Sequence, residues 1–104
     1  MFARSVSIHF RSNMLSDYNR TFEKDILPIL RRQEGFTDEI TLSNPGNLDV
    51  VAISLWESKA TAEAYNTKAY PEVLKTFATM IDGTPRVQTF EFVTSTFHRF
   101  AVAA

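Results

Sequence analysis

Residues 5–11 alternate, with Val6, Ile8 and Phe10 apolar and Ser5, Ser7, His9 and Arg11 polar, which is the two-residue period of a strand whose faces meet unlike surroundings. That period gives way to a helical one and then returns, and the order of the changes limits the fold more than any other property of the chain. Tyr18, Phe22, Ile26, Ile29 and Leu30 recur at helical spacing, with Asp17 near the first turn, Arg31 and Arg32 in the last and Gly35 placed to close it. Pro28 lacks a backbone donor, so a kink or break is predicted there. Residues 36–43 and 48–56 flank Asn44, Pro45, Gly46 and Asn47, a turn sequence that predicts a hairpin. Residues 58–66 read as a small-sided helix, and a second helical piece starts near Pro71. Val73, Leu74, Phe77, Met80 and Ile81 line one face of it before Asp82, Gly83, Thr84 and Pro85 stop it. Residues 86–97 alternate again. Strand, helix, strand, strand, helix pair, strand is the split βαβ order of an α+β ferredoxin-like sandwich, a four-stranded antiparallel sheet with helices on one face.

The 104 residues, 44% hydrophobic and 22% charged, suit one compact domain over 1–104 with no linker or repeat. Nine Phe, three Tyr and one Trp supply the apolar bulk that a small core needs. A formal charge of -1 with interspersed signs argues against nucleic acid or an anionic membrane as partner. Without cysteine there is neither a disulfide nor a thiolate site. The first ten residues lack the apolar run of a secretory signal, which gives the expectation of a cytoplasmic protein. Glu23, Lys24 and Asp25 read as the solvated side of the first helix, His98 as a rim residue and residues 101–104 as a small-sided tail. No phosphate loop, zinc-protease motif or serine elbow is present, and no metal or cofactor is expected.

Helices cover one face of such a sheet. Sorting by parity assigns Val6, Ile8 and Phe10, with Val51, Ile53 and Leu55, to the helix side. Ser5, Ser7, His9 and Arg11, with Val50, Ala52, Ser54 and Trp56, then fall on the open side. An open face of aromatics, small residues and hydroxyls predicts a cover, and a second copy of the chain is the economical one. The expectation is a homodimer packed sheet to sheet, with a ligand pocket between the sheets.

The stretch from Pro28 through Arg31, Arg32 and Gly35 to Phe36, the sequence from Leu55 through Trp56 and Glu57 to Ser58, and Ala64 and Tyr65 followed by Ala69, Tyr70 and Pro71 resemble the antibiotic-biosynthesis-monooxygenase-like domains of the dimeric α/β-barrel superfamily. The resemblance covers roughly residues 3–97. It implies a ferredoxin-like subunit whose dimer forms a barrel, and a cofactor-independent oxygenase of hydroxylated aromatics or quinols. A Trp closing the third strand and polar residues on the first are features of the active members, which Trp56 and His9 match. The haem-degrading members carry a His on the helix after that Trp, where this chain has Tyr65, Asn66 and Tyr70, so haem degradation is not implied.

An electron-rich phenolate can itself reduce oxygen, so the protein need only deprotonate, orient and shield it. The expected parts are His9 as proton acceptor, Trp56 stacking on the ring, Ser7 or Ser54 as hydrogen-bond partners, and Tyr65, Asn66 and Tyr70 at the pocket mouth. The competing expectation is a non-catalytic ligand-binding or stress-associated barrel in which these residues only pack the dimer.

Overall fold

The computed structural model describes residues 1–46 and 48–97. His98 and the tail 101–104 lie outside the described residues. Four strands, β1 (Phe2–His9), β2 (Phe36–Ser43), β3 (Asp49–Trp56) and β4 (Arg86–Glu91), form one sheet in the order β2-β3-β1-β4, every neighbouring pair antiparallel. Helices α1 (Leu15–Thr21), α2 (Leu27–Arg31), α3 (Lys59–Lys68) and α4 (Tyr70–Phe77) supply the cover. This is the expected ferredoxin-like α+β architecture. Among the described residues no helix is long and apolar enough to cross a membrane.

The break predicted at Pro28 takes a milder form. Residues Phe22–Ile26 make a π-helical stretch, and the backbone stays right-handed helical from it into α2. Pro28 has no amide hydrogen for the Lys24 carbonyl, and its ring crowds the turn before it, so the helix widens rather than ends. Ser58 begins α3 with a capping box, its Oγ accepting from the Thr61 amide at 3.2 Å while the Thr61 hydroxyl oxygen accepts from the Ser58 amide at 3.3 Å. β4 stops at Glu91 instead of reaching residue 97. Glu91 already pairs with Phe2, the first residue of β1, so β1 offers no further strand for the chain to follow.

Register corrects the face sorting of β3. Directly opposed residues of an antiparallel pair share a face. Phe2 stands opposite Trp56, Arg4 opposite Ser54, Val6 opposite Ala52 and Ile8 opposite Val50. The helix-facing set of β3 is therefore Val50, Ala52, Ser54 and Trp56, and the open face receives Val51, Ile53 and Leu55, the reverse of the sequence expectation. Both sets are apolar enough to be buried, and the choice falls to Trp56, the largest side chain in the strand, which is 0% exposed. The core gathers Phe2, Val6 and Ile8 from β1, Phe10 just beyond its end, Val50 and Trp56 from β3, and Tyr18, Ile26, Leu30, Tyr65, Val73 and Phe77 from the helices. An apolar open face remains, built from other residues. Ile40 and Leu42 stand opposite Ile53 and Val51, and Phe90 opposite Ala3. Ile40 and Phe90 are each 52% exposed.

Candidate functional site between sheet and helices

The corrected register gathers several of the expected site residues on the inner face. Trp56 stacks on Tyr65 with ring centroids 5.0 Å apart and meets Phe36 edge-on at 5.5 Å. Its indole Nε1–H donates to Ser54 Oγ at 2.8 Å, which satisfies the one polar atom of a buried indole. Tyr65 leads to Tyr70 at 6.2 Å. Over these two rings lies Arg4, whose guanidinium carbon is 4.0 Å from the Tyr70 centroid and 5.2 Å from that of Tyr65. Arg4 Nη2 donates to Asn66 Oδ1 at 2.7 Å. Strand β1 sets the arginine on the inner face, and the turn from α3 into α4 at Ala69 brings both tyrosines over it.

A cavity of about 50 Å³ opens beside this cluster, bounded by Arg4, Ser54, Tyr65, Tyr70 and Glu39 and otherwise by aliphatic and aromatic side chains of the sheet and helices. Glu39 also borders a larger groove of about 390 Å³ between the first helical layer and β2, as does Phe22. The two therefore stand between the interior and that groove. Burial raises the Glu39 carboxyl above the ordinary carboxylate range, while the Thr41 hydroxyl, donating to Oε2 at 2.7 Å, works the other way. Burial also pushes the Tyr65 phenol up to about 12 and raises Tyr18, so both stay neutral at physiological pH.

Arg4 is the unusual member. It is 2% exposed, no carboxylate forms an ion pair with it among the described residues, and its Nε has no hydrogen-bond partner. Burial lowers its pKa, opposed by the two tyrosines, and a guanidinium so placed stays charged. The sequence reading missed Arg4 and Glu39, because each sits in an alternating strand as an apparently solvated charge. Register alone turns them inward: Arg4 pairs with Ser54, and so does Glu39 beyond the irregularity between Phe36 and Asp38.

His9 and Ser7 are apart from this cluster. They share the parity of the open face, Ser7 opposite Val51 and His9 opposite Asp49 at the end of β1. The expected set of His9, Ser7, Ser54, Trp56, Tyr65, Asn66 and Tyr70 is thus divided between the two sides of the sheet. His9 is exposed, and its Nδ1 lies 2.6 Å from Asp49 Oδ1. Asp49 also accepts from Asn44 Nδ2 at 3.1 Å, and its carbonyl accepts from the Asn44 amide at 3.0 Å, so it ties the β2–β3 hairpin to the end of β1. The hydrogen bond to Asp49 raises the His9 pKa above its ordinary 6.5, against desolvation. A raised histidine pKa stabilises the fold fully below about pH 6.5, and that contribution disappears as pH rises through the folded-state value. An NMR titration is expected to place the His9 midpoint above 6.5, and Asp49→Asn to lower it. A midpoint unmoved by Asp49→Asn would contradict the pairing.

Among the described residues no group of three or more His, Asp and Glu side chains converges to hold a metal. No family profile matches the chain and no curated protein sequence does. Solved structures do match. SnoaB, a cofactor-independent oxygenase from Streptomyces nogalater, is 11% identical with a TM-score of 0.76, over 91% of this chain and 95% of that one. A monooxygenase from the gene ActVA-Orf6 of Streptomyces coelicolor, solved with the ligand Nanaomycin D, is 13% identical with a TM-score of 0.75, over 92% and 90%. A protein of unknown function from Nitrosomonas europaea is 16% identical with a TM-score of 0.73, over 92% of each. Others carry the name antibiotic biosynthesis monooxygenase, and the chain is similar to these proteins across nearly its whole length in the way its strands and helices are ordered and packed.

Proposed function

We propose that the protein is a cofactor-independent monooxygenase of a small hydroxylated aromatic or quinol, and that the reaction takes place in the cavity between sheet and helices. The observation that carries this reading is an apolar, aromatic-walled cavity with a half-buried carboxyl, Glu39, on its border. Its fold likeness to a cofactor-independent oxygenase supports it. Glu39 takes the phenolic proton; its raised pKa makes it a stronger base than an ordinary carboxylate. His9 is not among the residues that border the cavity, and in this reading it takes no part in that step. The substrate anion gives one electron to dioxygen, the radical pair recombines as a peroxide, and loss of water leaves the quinone. One oxygen atom of O2 enters the ring and the other leaves as water, so a phenol and O2 give a quinone and H2O. Tyr65 and Tyr70 wall the ring, with Trp56 behind Tyr65, and the apolar lining together with the bound ring keeps bulk water from the peroxide.

About 50 Å³ is less room than an aromatic ring needs, since an apolar cavity of about 150 Å³ is the size that holds benzene. The ring therefore enters by displacing a wall. Phe22, which borders both the cavity and the outer groove and sits in the π-helical stretch, is the side chain placed to yield. The exposed apolar patch of Ile40, Leu42 and Phe90 supports a homodimer through the open sheet face, for which sedimentation is the test: a stable monomer at micromolar concentration would oppose it.

Oxygen uptake with a panel of hydroquinones and naphthols tests the reaction. Protein-dependent uptake is expected, one O2 for each quinone formed from a naphthol or hydroxyquinone formed from a hydroquinone, with water and no hydrogen peroxide as the second product. The rate should fall as pH drops through the Glu39 pKa, decrease on the order of a hundredfold in Glu39→Gln and persist in His9→Ala. Full activity in Glu39→Gln, or no turnover with any member of the panel, would overturn the assignment.

A further inference from the structure

Arg4 borders two cavities. On one side is the aromatic-walled interior, and on the other a cleft of about 120 Å³ at the β4 side of the sheet, where Phe2, Asn66, Val87 and Thr89 line it together with Glu63, itself turned to Lys59 at 3.8 Å. A buried guanidinium costs several kcal/mol in lost hydration unless charge and hydrogen bonds compensate. The compensation inside the chain is incomplete: one amide oxygen on Nη2, a side-chain hydrogen bond with Tyr70, two tyrosine faces, an unpaired Nε and no carboxylate paired with it among the described residues. An anionic partner is what the guanidinium lacks, and two planar N–H groups match two oxygens of a carboxylate or the single oxygen of a phenolate.

We infer that Arg4 binds the negatively charged oxygen of an aromatic ligand, so that the site selects aromatic oxyanions, phenolates or carboxylates, over neutral rings of the same shape. The ring lies against Tyr65 and Tyr70, and Asn66 fixes the guanidinium by holding Nη2. The inference rests on the reading of this cavity as the ligand site and adds the charge of the ligand to it. It also explains why the chain holds a cation in its core at a position where a leucine or methionine would pack with less cost.

Benzoate and benzamide, which share shape and differ in charge, separate the possibilities by calorimetry and by NMR of the Arg4 Nε–H group. Neither is oxidised, so the outcome is independent of turnover. Failure to consume oxygen with charge-selective binding intact would overturn only the oxygenase reading. Benzoate is expected to bind about tenfold or more tightly than benzamide, the effect of a hydrogen bond to a charged group, and to shift the Nε–H signal. Asn66→Asp sets a carboxylate where Oδ1 now lies, 2.7 Å from Nη2, and should abolish the preference without lowering the melting temperature. Equal binding of the two compounds, binding of neither, or a preference that survives in a folded Asn66→Asp protein would each overturn the inference. Should that variant not fold, the wild-type Nε–H response decides: a shift with benzoate alone supports the site, and an unmoved signal removes it.

Discussion

Trp56→Ala is expected to lower the stability of the fold by about 3–5 kcal/mol, the cost of deleting a large buried aromatic and leaving its space partly unfilled. In a domain of this size that corresponds to a drop of more than about 12 °C in melting temperature. The indole is 0% exposed, packs against Tyr65 and Phe36 and gives its only N–H to Ser54. Trp56→Phe should lose less, because a ring remains; Ser54 Oγ loses the indole donor but keeps its own bond to the Arg4 carbonyl at 3.5 Å, so the lost hydrogen bond should cost about 1 kcal/mol. Ile53→Ala makes the informative comparison. Ile53 belongs to the opposite parity of the same strand, on the open face, so its loss removes packing from the sheet surface and leaves the core intact. If Trp56→Ala proved mild in chemical denaturation and Ile53→Ala severe, the strand would have to be turned over, with the tryptophan toward solvent or a partner.

Gly35→Ala is the second large effect, and it separates two glycines with the same backbone angle. Gly35 and Gly83 both have φ of 81°, where a side chain is strained. A methyl group on Gly83 would have no heavy atom within 4 Å, and Gly83→Ala should cost about 1–2 kcal/mol. At Gly35 the same methyl would lie 2.5 Å from Thr61 Oγ1 and 2.6 Å from Thr61 Cβ. Thr61 cannot easily move aside, because its hydroxyl is held by the capping box and by the Ser58 carbonyl at 2.9 Å. The Gly35 carbonyl also accepts from the Glu57 amide at 2.8 Å, joining the end of the first helical layer to the end of β3. Overpacking added to backbone strain gives an expected loss of about 2–5 kcal/mol for Gly35→Ala. Equal losses at the two glycines in urea unfolding would mean that the start of α3 does not press on this turn.

The strand and helix order was legible because the periodicities of 2 and 3.6 are written in strongly contrasting residues: Ser7 beside Ile8 in β1, and Val73, Leu74 and Phe77 on one side of α4. Which side of β3 faces inward was not legible. Val51, Ile53 and Leu55 form the more uniformly apolar set, whereas Ser54 and Ala52 dilute the other, and residue counting favours the former. The packing of one indole and the pairing of Phe2 with Trp56 decide the matter, and cross-strand register is a non-local property. A signal was nevertheless present. The largest aromatic in a half-buried strand belongs on the side with most to gain from burial, and reading Trp56 first would have sorted β3 correctly.

The site shares that history. Tyr65, Asn66 and Tyr70 stand out in the sequence as polar and aromatic groups at the junction of two helices, and the fold brings them together around Arg4. Arg4 itself looks like any strand cation. What marks it is an inward position with no carboxylate near enough to pair among the described residues, and only the three-dimensional arrangement exhibits that. A lone histidine such as His9 on a polar strand face suggests acid–base chemistry, and what the sequence does not display is its pairing with Asp49, which Asn44 also holds.

The side of the sheet on which a ligand sits is the claim on which the rest depends, and intermolecular NOEs from a bound hydroquinone read it directly. Contacts to Val6, Ala52 and Tyr65, with none to Leu42 or Ile53, are expected. A ligand whose contacts fall on Ile40, Leu42 and Ile53 instead would put the site on the open face and contradict the account.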